Sequence, residues 1–306
     1  MAVKDMAASV LTRLKNQAKE TGLTYQMCLQ LFCQEEFLRK LEASGYSEIF
    51  ILKGGMYLYI MTEFDSRPTR DIDFMIRWIS NDMENMIQIM KKICTANTGN
   101  DLIRLEMLSS ENITEEKEYH GVRTKFRAYI KNVKIPFSID VGVDDVIVPG
   151  AVKRTVHTRL EGFHSPTIYT YSLESTIAEK FDAIVKRMEA TSRMKDFFDI
   201  YYLSGVFDFE GRKLQEAISC TLDHRGTIYE SNSFDRIKSF KNNTLMINLW
   251  NNYQSGTKEN KPDFHVVIEQ LEKFLEPIFH AVIEEKEWFY TWDSSVQKWI
   301  PCSEKL

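Results

Sequence analysis

Two carboxylates, Asp71 and Asp73, stand one residue apart in the run Asp71-Ile72-Asp73-Phe74-Met75-Ile76. On a β-strand, residues two apart point to the same face, so both carboxylates can share one cation. Upstream, the apolar run Ile49-Phe50-Ile51-Leu52 leads through Lys53 into the pair Gly54-Gly55. Glycines at the start of a helix let the backbone approach a phosphate closely, and the helix N-terminus favours its charge. A phosphate cradle followed by cation-binding carboxylates points to phosphoryl or nucleotidyl transfer. Neither feature is specific by itself. Asp-Ile-Asp also suits a solvated strand face, and Gly-Gly an ordinary tight turn. The surroundings of Gly54 match neither a Walker A loop nor a Gly-x-Gly-x-x-Gly fingerprint.

Further candidates lie downstream. Asp140 alternates with Ile139 and Val141 and faces away from the core side of its strand, where it can add a third carboxylate. Glu179-Lys180 lies in an apolar helical stretch, with Lys180 off the stripe of Ile177, Phe181 and Ile184 and free to reach a polar cleft. A lysine there can meet a triphosphate as a point charge. Arg193, Asp196 and Asp199 follow at three-residue steps and share one helix face, which also suits solvated ion pairs. Arg123, Lys125 and Arg127 alternate on one strand face, either solvated or set against a nucleic-acid backbone. The late aromatics Trp288, Phe289, Tyr290, Trp292 and Trp299 suit a tail packing back on helices better than a base-stacking surface.

The elements that must position these residues follow from periodicity. Residues 1 to about 45 read as helix, with Gly45 as a stop. Ile49–Leu52 is a short strand, Met56 to about Thr62 a helix, and Ile72–Ile76 a second strand. Met83, Ile87, Met90 and Ile93 form a helical stripe. The period then changes to two, at Ile103–Met107, Val122–Ile130 and Lys134–Val141, the last two as an antiparallel hairpin carrying Asp140. From about residue 170 the pattern is helical to near the end, with Ser172 as an N-cap and a long stripe from Val267 to Val282. Residues 225–263 are polar and carry no clear period.

A chain of 306 residues with 43% hydrophobic and 27% charged residues is long enough for two globular domains. A net charge of −5 excludes nucleic-acid binding by overall charge, so any RNA contact needs a local basic patch. Five scattered cysteines and a mixed, polar N-terminus predict a cytoplasmic protein. Cys28 and Cys33 have no histidine nearby to complete a zinc site. No apolar run reaches the length of a membrane span.

Taken in order, Lys53-Gly54-Gly55, Arg67-x-Thr69-x-Asp71-Ile72-Asp73, Asp140, Glu179-Lys180 and Arg193-x-Lys195-Asp196-x-x-Asp199 resemble the AbiEii/AbiGii group of nucleotidyltransferase toxins, which includes the MenT-like toxins. The resemblance covers residues 49 to 203. It implies an α+β fold, with a DNA-polymerase-β-like nucleotidyltransferase core and a helical C-terminal part. Residues 1–170 would form the N-terminal helices and core, and residues 171–306 a helical domain completing the active-site cleft. The implied activity is transfer of a nucleotide from Mg-NTP to an RNA 3′ end, that of tRNA first, within a type IV toxin–antitoxin or abortive-infection system. A cognate antitoxin would be its partner, and no membrane is involved. Alternatives are an NTP- or GTP-binding regulator without transfer, or a protein nucleotidyltransferase. Carried over, Asp71, Asp73, Lys180, Asp196 and Asp199 are the catalytic residues. Gly54, Gly55, Lys180 and Arg193 bind the nucleotide, and Asp71, Asp73 and Asp140 hold Mg2+. In one departure from many relatives, Met56-Tyr57 rather than Ser or Thr follows the glycines, so backbone N–H groups must serve the phosphate there.

Overall fold

The computed structural model describes residues 5–113, 121–143, 145–253 and 261–302. The chain divides into two compact units. Unit 1 comprises residues 1–144 and 151–171; unit 2 comprises residues 145–150 and 172–306. The architecture is mixed α+β.

Unit 1 contains α1 (Met6–Thr21), α2 (Tyr25–Ala43), β1 (Phe50–Lys53), α3 (Gly54–Met61), β2 (Asp71–Ile76), α4 (Met83–Thr95), β3 (Arg104–Ile113), β4 (Gly121–Ile130), β5 (Val133–Gly142), β6 (Val152–Thr155) and β7 (Thr167–Thr170). Its seven described strands form one sheet in the order β3-β4-β5-β2-β1-β7-β6. The β2–β5 and β1–β7 pairs are parallel and the others antiparallel.

The expected single N-terminal helix is two. Gly22, in the left-handed region at φ 75°, ends α1, and the Thr24 hydroxyl accepts from the Met27 N–H to start α2. The core of this unit lies between α2 and the sheet, where Phe37 meets Phe74 of β2 and Phe126 of β4. Cys28 through Leu41 of α2 are all buried, polar residues included. An apolar stripe shows one buried face, so it gave no sign that Gln30, Gln34, Glu35, Glu36, Arg39 and Lys40 are inside as well. Each has a partner. Glu36 accepts from Arg39, Thr98 and Asn100, and Lys40 donates to the Ala96 carbonyl. The short strands β6 and β7 were not read from the sequence. They lie among proline and glycine residues and are too short to show a period.

Glu35 is 1% exposed, and its two oxygens accept from the Arg159 N–H at 3.3 and 3.4 Å. Burial outweighs the nearby Arg39 and Arg159 and pushes its carboxyl from 4.5 up to about 7. The folded state therefore binds this proton more tightly than the unfolded chain. The resulting stability is fully present below pH 4.5 and is lost as pH rises to about 7. The loss amounts to about 3 kcal/mol. Glu35→Gln should remove this dependence. Urea unfolding at about pH 5 and about pH 7.5 should show the parent losing stability relative to the variant. Equal changes in both proteins would contradict the shift.

Unit 2 contains α5 (Leu173–Arg187), α6 (Met194–Val206), β8 (Phe209–Glu210), α7 (Gly211–His224), α8 (Ser233–Ser239), α9 (Thr244–Asn252), α10 (Phe264–Ile283), β9 (Tyr290–Asp293) and β10 (Lys298–Pro301), with short 3-10 turns at Met188–Ala190 and Phe240–Asn242. Phe181, Phe197, Phe264, Phe274 and Phe279 build its core around α10. The predicted helical character holds, but the chain closes with a small sheet ordered β10-β9-β8. The aromatic tail packs rather than standing free. Trp292 is fully buried, with its indole N–H donating to the Ser204 carbonyl at 2.7 Å, and Trp299 lies parallel to Phe274. The polar stretch resolves into α8 and α9, while its residues 254–260 lie outside the described residues. No helix among the described residues is long and apolar enough to cross a membrane.

Candidate active site

Side-chain alternation decides which face of unit 1 is acidic. Ile72, Phe74 and Ile76 of β2 are buried on the α2 side, so Asp71 and Asp73 project from the other. The parallel β2–β5 register sets Ser138 opposite Asp71, and Asp140 opposite Asp73. Ser138 Oγ donates to Asp71 Oδ1 at 3.2 Å. Residues paired directly across neighbouring strands share a face, so Asp73 and Asp140 stand side by side. On the far side of β5, β4 places Arg123 opposite Asp140. Its guanidinium grips the carboxylate in a two-point fork, Nε to Oδ1 at 2.7 Å and Nη2 to Oδ2 at 2.6 Å. Lys125, the next cation on that face, donates to Glu111 at 3.0 Å. Two of the three expected basic residues are thus matched by carboxylates of adjacent strands.

The Gly54-Gly55 turn lies against the same carboxylates. β1 runs antiparallel to β2 with Lys53 opposite Asp73, and α3 begins at the next residue. Gly54 has φ +68°, and a Cβ there would sit 2.2 Å from Asp73 Oδ2. At Gly55 a Cβ would sit 2.8 Å from Thr69 Oγ1. Only glycine lets the backbone come this close. No side chain of the N-cap residue Lys53 caps the first turn of α3. Instead, Lys53 Nζ lies over the Tyr171 ring, 4.9 Å from its centroid.

Gly54→Ala should therefore have two effects. The left-handed conformation costs an L-residue about 1–2 kcal/mol. The new methyl must also displace the Asp73 carboxylate, so the activity of this site should fall further than stability does. Chemical denaturation and an activity assay on the same protein measure both. Unchanged activity would remove Gly54 from the site.

In unit 2 the Ser172 hydroxyl accepts from the Ser175 N–H at 3.0 Å and starts α5. Lys180 projects from α5 off the apolar stripe, as the sequence suggests, but it is not free to extend. Its side chain is 10% exposed, with Nζ 2.5 Å from Asp199 Oδ2 and 3.4 Å from Asp196 Oδ1. Asp196 and Asp199 lie one turn apart on α6, which aims both at the ammonium. Arg193 closes the cluster, its Nε 2.6 Å from Asp196 Oδ2. Burial makes such pairing necessary, because an unpaired charge there would be costly. A second network has no signal in the local sequence pattern. Arg225, from the stretch without a clear period, contacts Asp145 at 2.8 Å and both Glu179 and Asp182 at 3.1 Å. Thr227 adds a hydroxyl donor to Asp182.

Among the described residues, no group of three or more His, Cys, Asp or Glu side chains stands arranged to hold a metal ion. The donor chemistry nevertheless fits a hard divalent cation. Asp71 and Asp73 present carboxylate oxygens on one face, and the turn beside Asp73 is kept clear of any Cβ. Arg123 uses one lone pair on each Asp140 oxygen and leaves the others available. Such a cation typically takes one or two carboxylates, with substrate phosphates and waters filling the rest.

A family model described as "Nucleotidyl transferase AbiEii toxin, Type IV TA system" matches residues 36–284. Among solved structures, MenT4, a nucleotidyltransferase toxin from Mycobacterium tuberculosis H37Rv, superimposes with a TM-score of 0.54 at 12% identity. That match covers 90% of this chain and 99% of MenT4, and it shows a shared fold. JHP933 from Helicobacter pylori aligns with a TM-score of 0.47 at 13% identity, over 86% of this chain and 98% of that one. No curated protein sequence matches the chain.

Proposed function

This chain belongs to the AbiEii family of nucleotidyltransferase toxins, and on that premise we propose that it transfers a nucleotide from Mg-NTP to the 3′ end of an RNA, tRNA first. The observation that carries the reading is the register of unit 1. Asp73 pairs with Asp140, and Gly54 lies against the Asp73 carboxylate, so acidic groups and a bare backbone turn share one place. Asp71 and Asp73 would hold the cation, with Asp140, paired opposite Asp73 and gripped by Arg123, as the third acidic group beside it. When bound, it supplies neutralisation of phosphate charge and acidification of the attacking hydroxyl. The backbone N–H groups at Gly54 and Gly55 would cradle phosphate oxygens. Lys180 and Arg193 are the proposed cations for the triphosphate, with Asp196 and Asp199 fixing their positions. The family's type IV assignment supports a cognate antitoxin as partner.

Purified protein incubated with total tRNA and each labelled NTP in turn tests the proposal. Label on RNA supports it. Nucleotide retained on the protein without transfer would favour a regulatory binder, and label covalently on protein would favour protein nucleotidylation.

A further inference from the structure

Away from the acidic residues, unit 1 carries a row of alternating rings and cations. Arg77 directly follows β2, and its guanidinium carbon stands 4.0 Å from the centroid of the Trp78 ring and 4.8 Å from that of Tyr169 on β7. Lys153 of β6, paired opposite Tyr169, brings its ammonium to 5.9 Å from the same ring. The order along the surface is thus Trp78, Arg77, Tyr169, Lys153.

Three features separate this row from ordinary surface packing. Trp78 is 76% exposed and holds φ +66°, a backbone region that bulky L side chains rarely adopt. Arg77 is fixed in place, its N–H donating to the Ile49 carbonyl at 3.2 Å and its Nε to the Glu48 carbonyl at 2.8 Å. Among the described residues, neither Arg77 nor Lys153 has a carboxylate within ion-pair distance, whereas Arg123 and Lys125 both do. On a chain of net charge −5, this is a local concentration of unmatched positive charge. The row ends at β6, the edge of the sheet.

We propose that this row binds a single-stranded segment of RNA, with a base stacked on the exposed Trp78 indole and phosphates drawn to Arg77 and Lys153. An exposed, preset aromatic ring accepts any base, because every base has a π-face, and flanking cations hold the backbone. β2 carries the chain about 10 Å from Asp73 to Ile76 before it turns at Trp78, which separates the row from the carboxylates by a few nucleotides at most. The row would thus hold the acceptor strand upstream of its reacting end. This placement rests on the RNA-substrate reading above; the binding itself does not.

Fluorescence anisotropy of a short labelled single-stranded RNA with the full chain, without NTP, tests the binding. Trp78→Ala should weaken it about tenfold or more, and Trp78→Phe should retain most of it. Lys153→Gln should reduce the slope of log affinity against log salt by about 0.7. The proposal is overturned if the parent binds no single-stranded RNA, or if Trp78→Ala binds as the parent does. It is also overturned if Trp78→Ala spares RNA binding and abolishes binding of a co-expressed antitoxin protein instead. Label transfer to RNA, measured on the same proteins, reports separately. A parent that binds RNA through Trp78 but transfers nothing contradicts the transferase reading and leaves the surface standing.

Discussion

Asp71→Ala should leave the protein folded and reduce nucleotide transfer about a thousandfold or more. The size follows from the role. A carboxylate that helps hold the catalytic cation acts in the transition state, and cation stabilisation there is worth several kcal/mol. Folding should be spared because Asp71 is exposed, at the start of β2, and among the described residues its side chain meets only the Ser138 hydroxyl. Removing it leaves no buried group unsatisfied. Circular dichroism and urea unfolding check the fold, and labelled-NTP transfer checks the activity. A folded variant with full transfer would show that Asp71 is a solvated strand residue and nothing more.

The largest stability effect belongs to Lys180. Its ammonium is the shared partner of Asp196 and Asp199, which are buried. Lys180→Met keeps the volume and removes the charge. Breaking a buried pair from one side typically costs about 3–5 kcal/mol. The lower end applies here, since Arg193 still neutralises Asp196. Lys180→Arg separates the structural role from the proposed catalytic one. A guanidinium keeps the charge and can bridge both carboxylates, so it should restore much of the stability. It cannot reproduce a compact ammonium at the triphosphate, so transfer should stay low. If the arginine variant recovers transfer and stability together, Lys180 is a neutralising residue and the nucleotide role is wrong.

The sequence shows residue types and local periods well and long-range pairing poorly. Gly54-Gly55 between a strand and a helix was legible because glycine marks a turn whatever surrounds it. The strand carrying Asp71 and Asp73 was legible because its apolar residues alternate with the acids. Arg123 was legible only as a cation on a strand face. Its grip on Asp140 depends on the register of β4 against β5, which no local pattern states. The same holds for Lys180, whose distance from an apolar stripe says nothing about what lies opposite it. The break at Gly22 was available from residue type, and the long helical periodicity on both sides masked it. Arg225 stands in a stretch whose polarity resembled a loop, yet it holds three carboxylates.

The central place of β2 in the sheet also orders events during synthesis. Its antiparallel neighbour β1 is already complete when β2 emerges, but its parallel neighbour β5 is not. Ser138, which meets Asp71, follows it by 67 residues. At ribosomal speeds of about 5–20 residues per second, that gap lasts roughly 3–13 seconds. Pairing distant segments also carries a loop-closure cost that adjacent hairpins avoid. Until β5 docks, Asp73 has no Asp140 beside it, and Arg123 has nothing to hold in position. A nascent chain therefore carries both acidic residues of β2 for several seconds before Asp140 can stand beside Asp73. For a protein of a toxin family, this sets an order of assembly: the carboxylates of β2 emerge first, and the sheet that pairs Asp73 with Asp140 closes several seconds later.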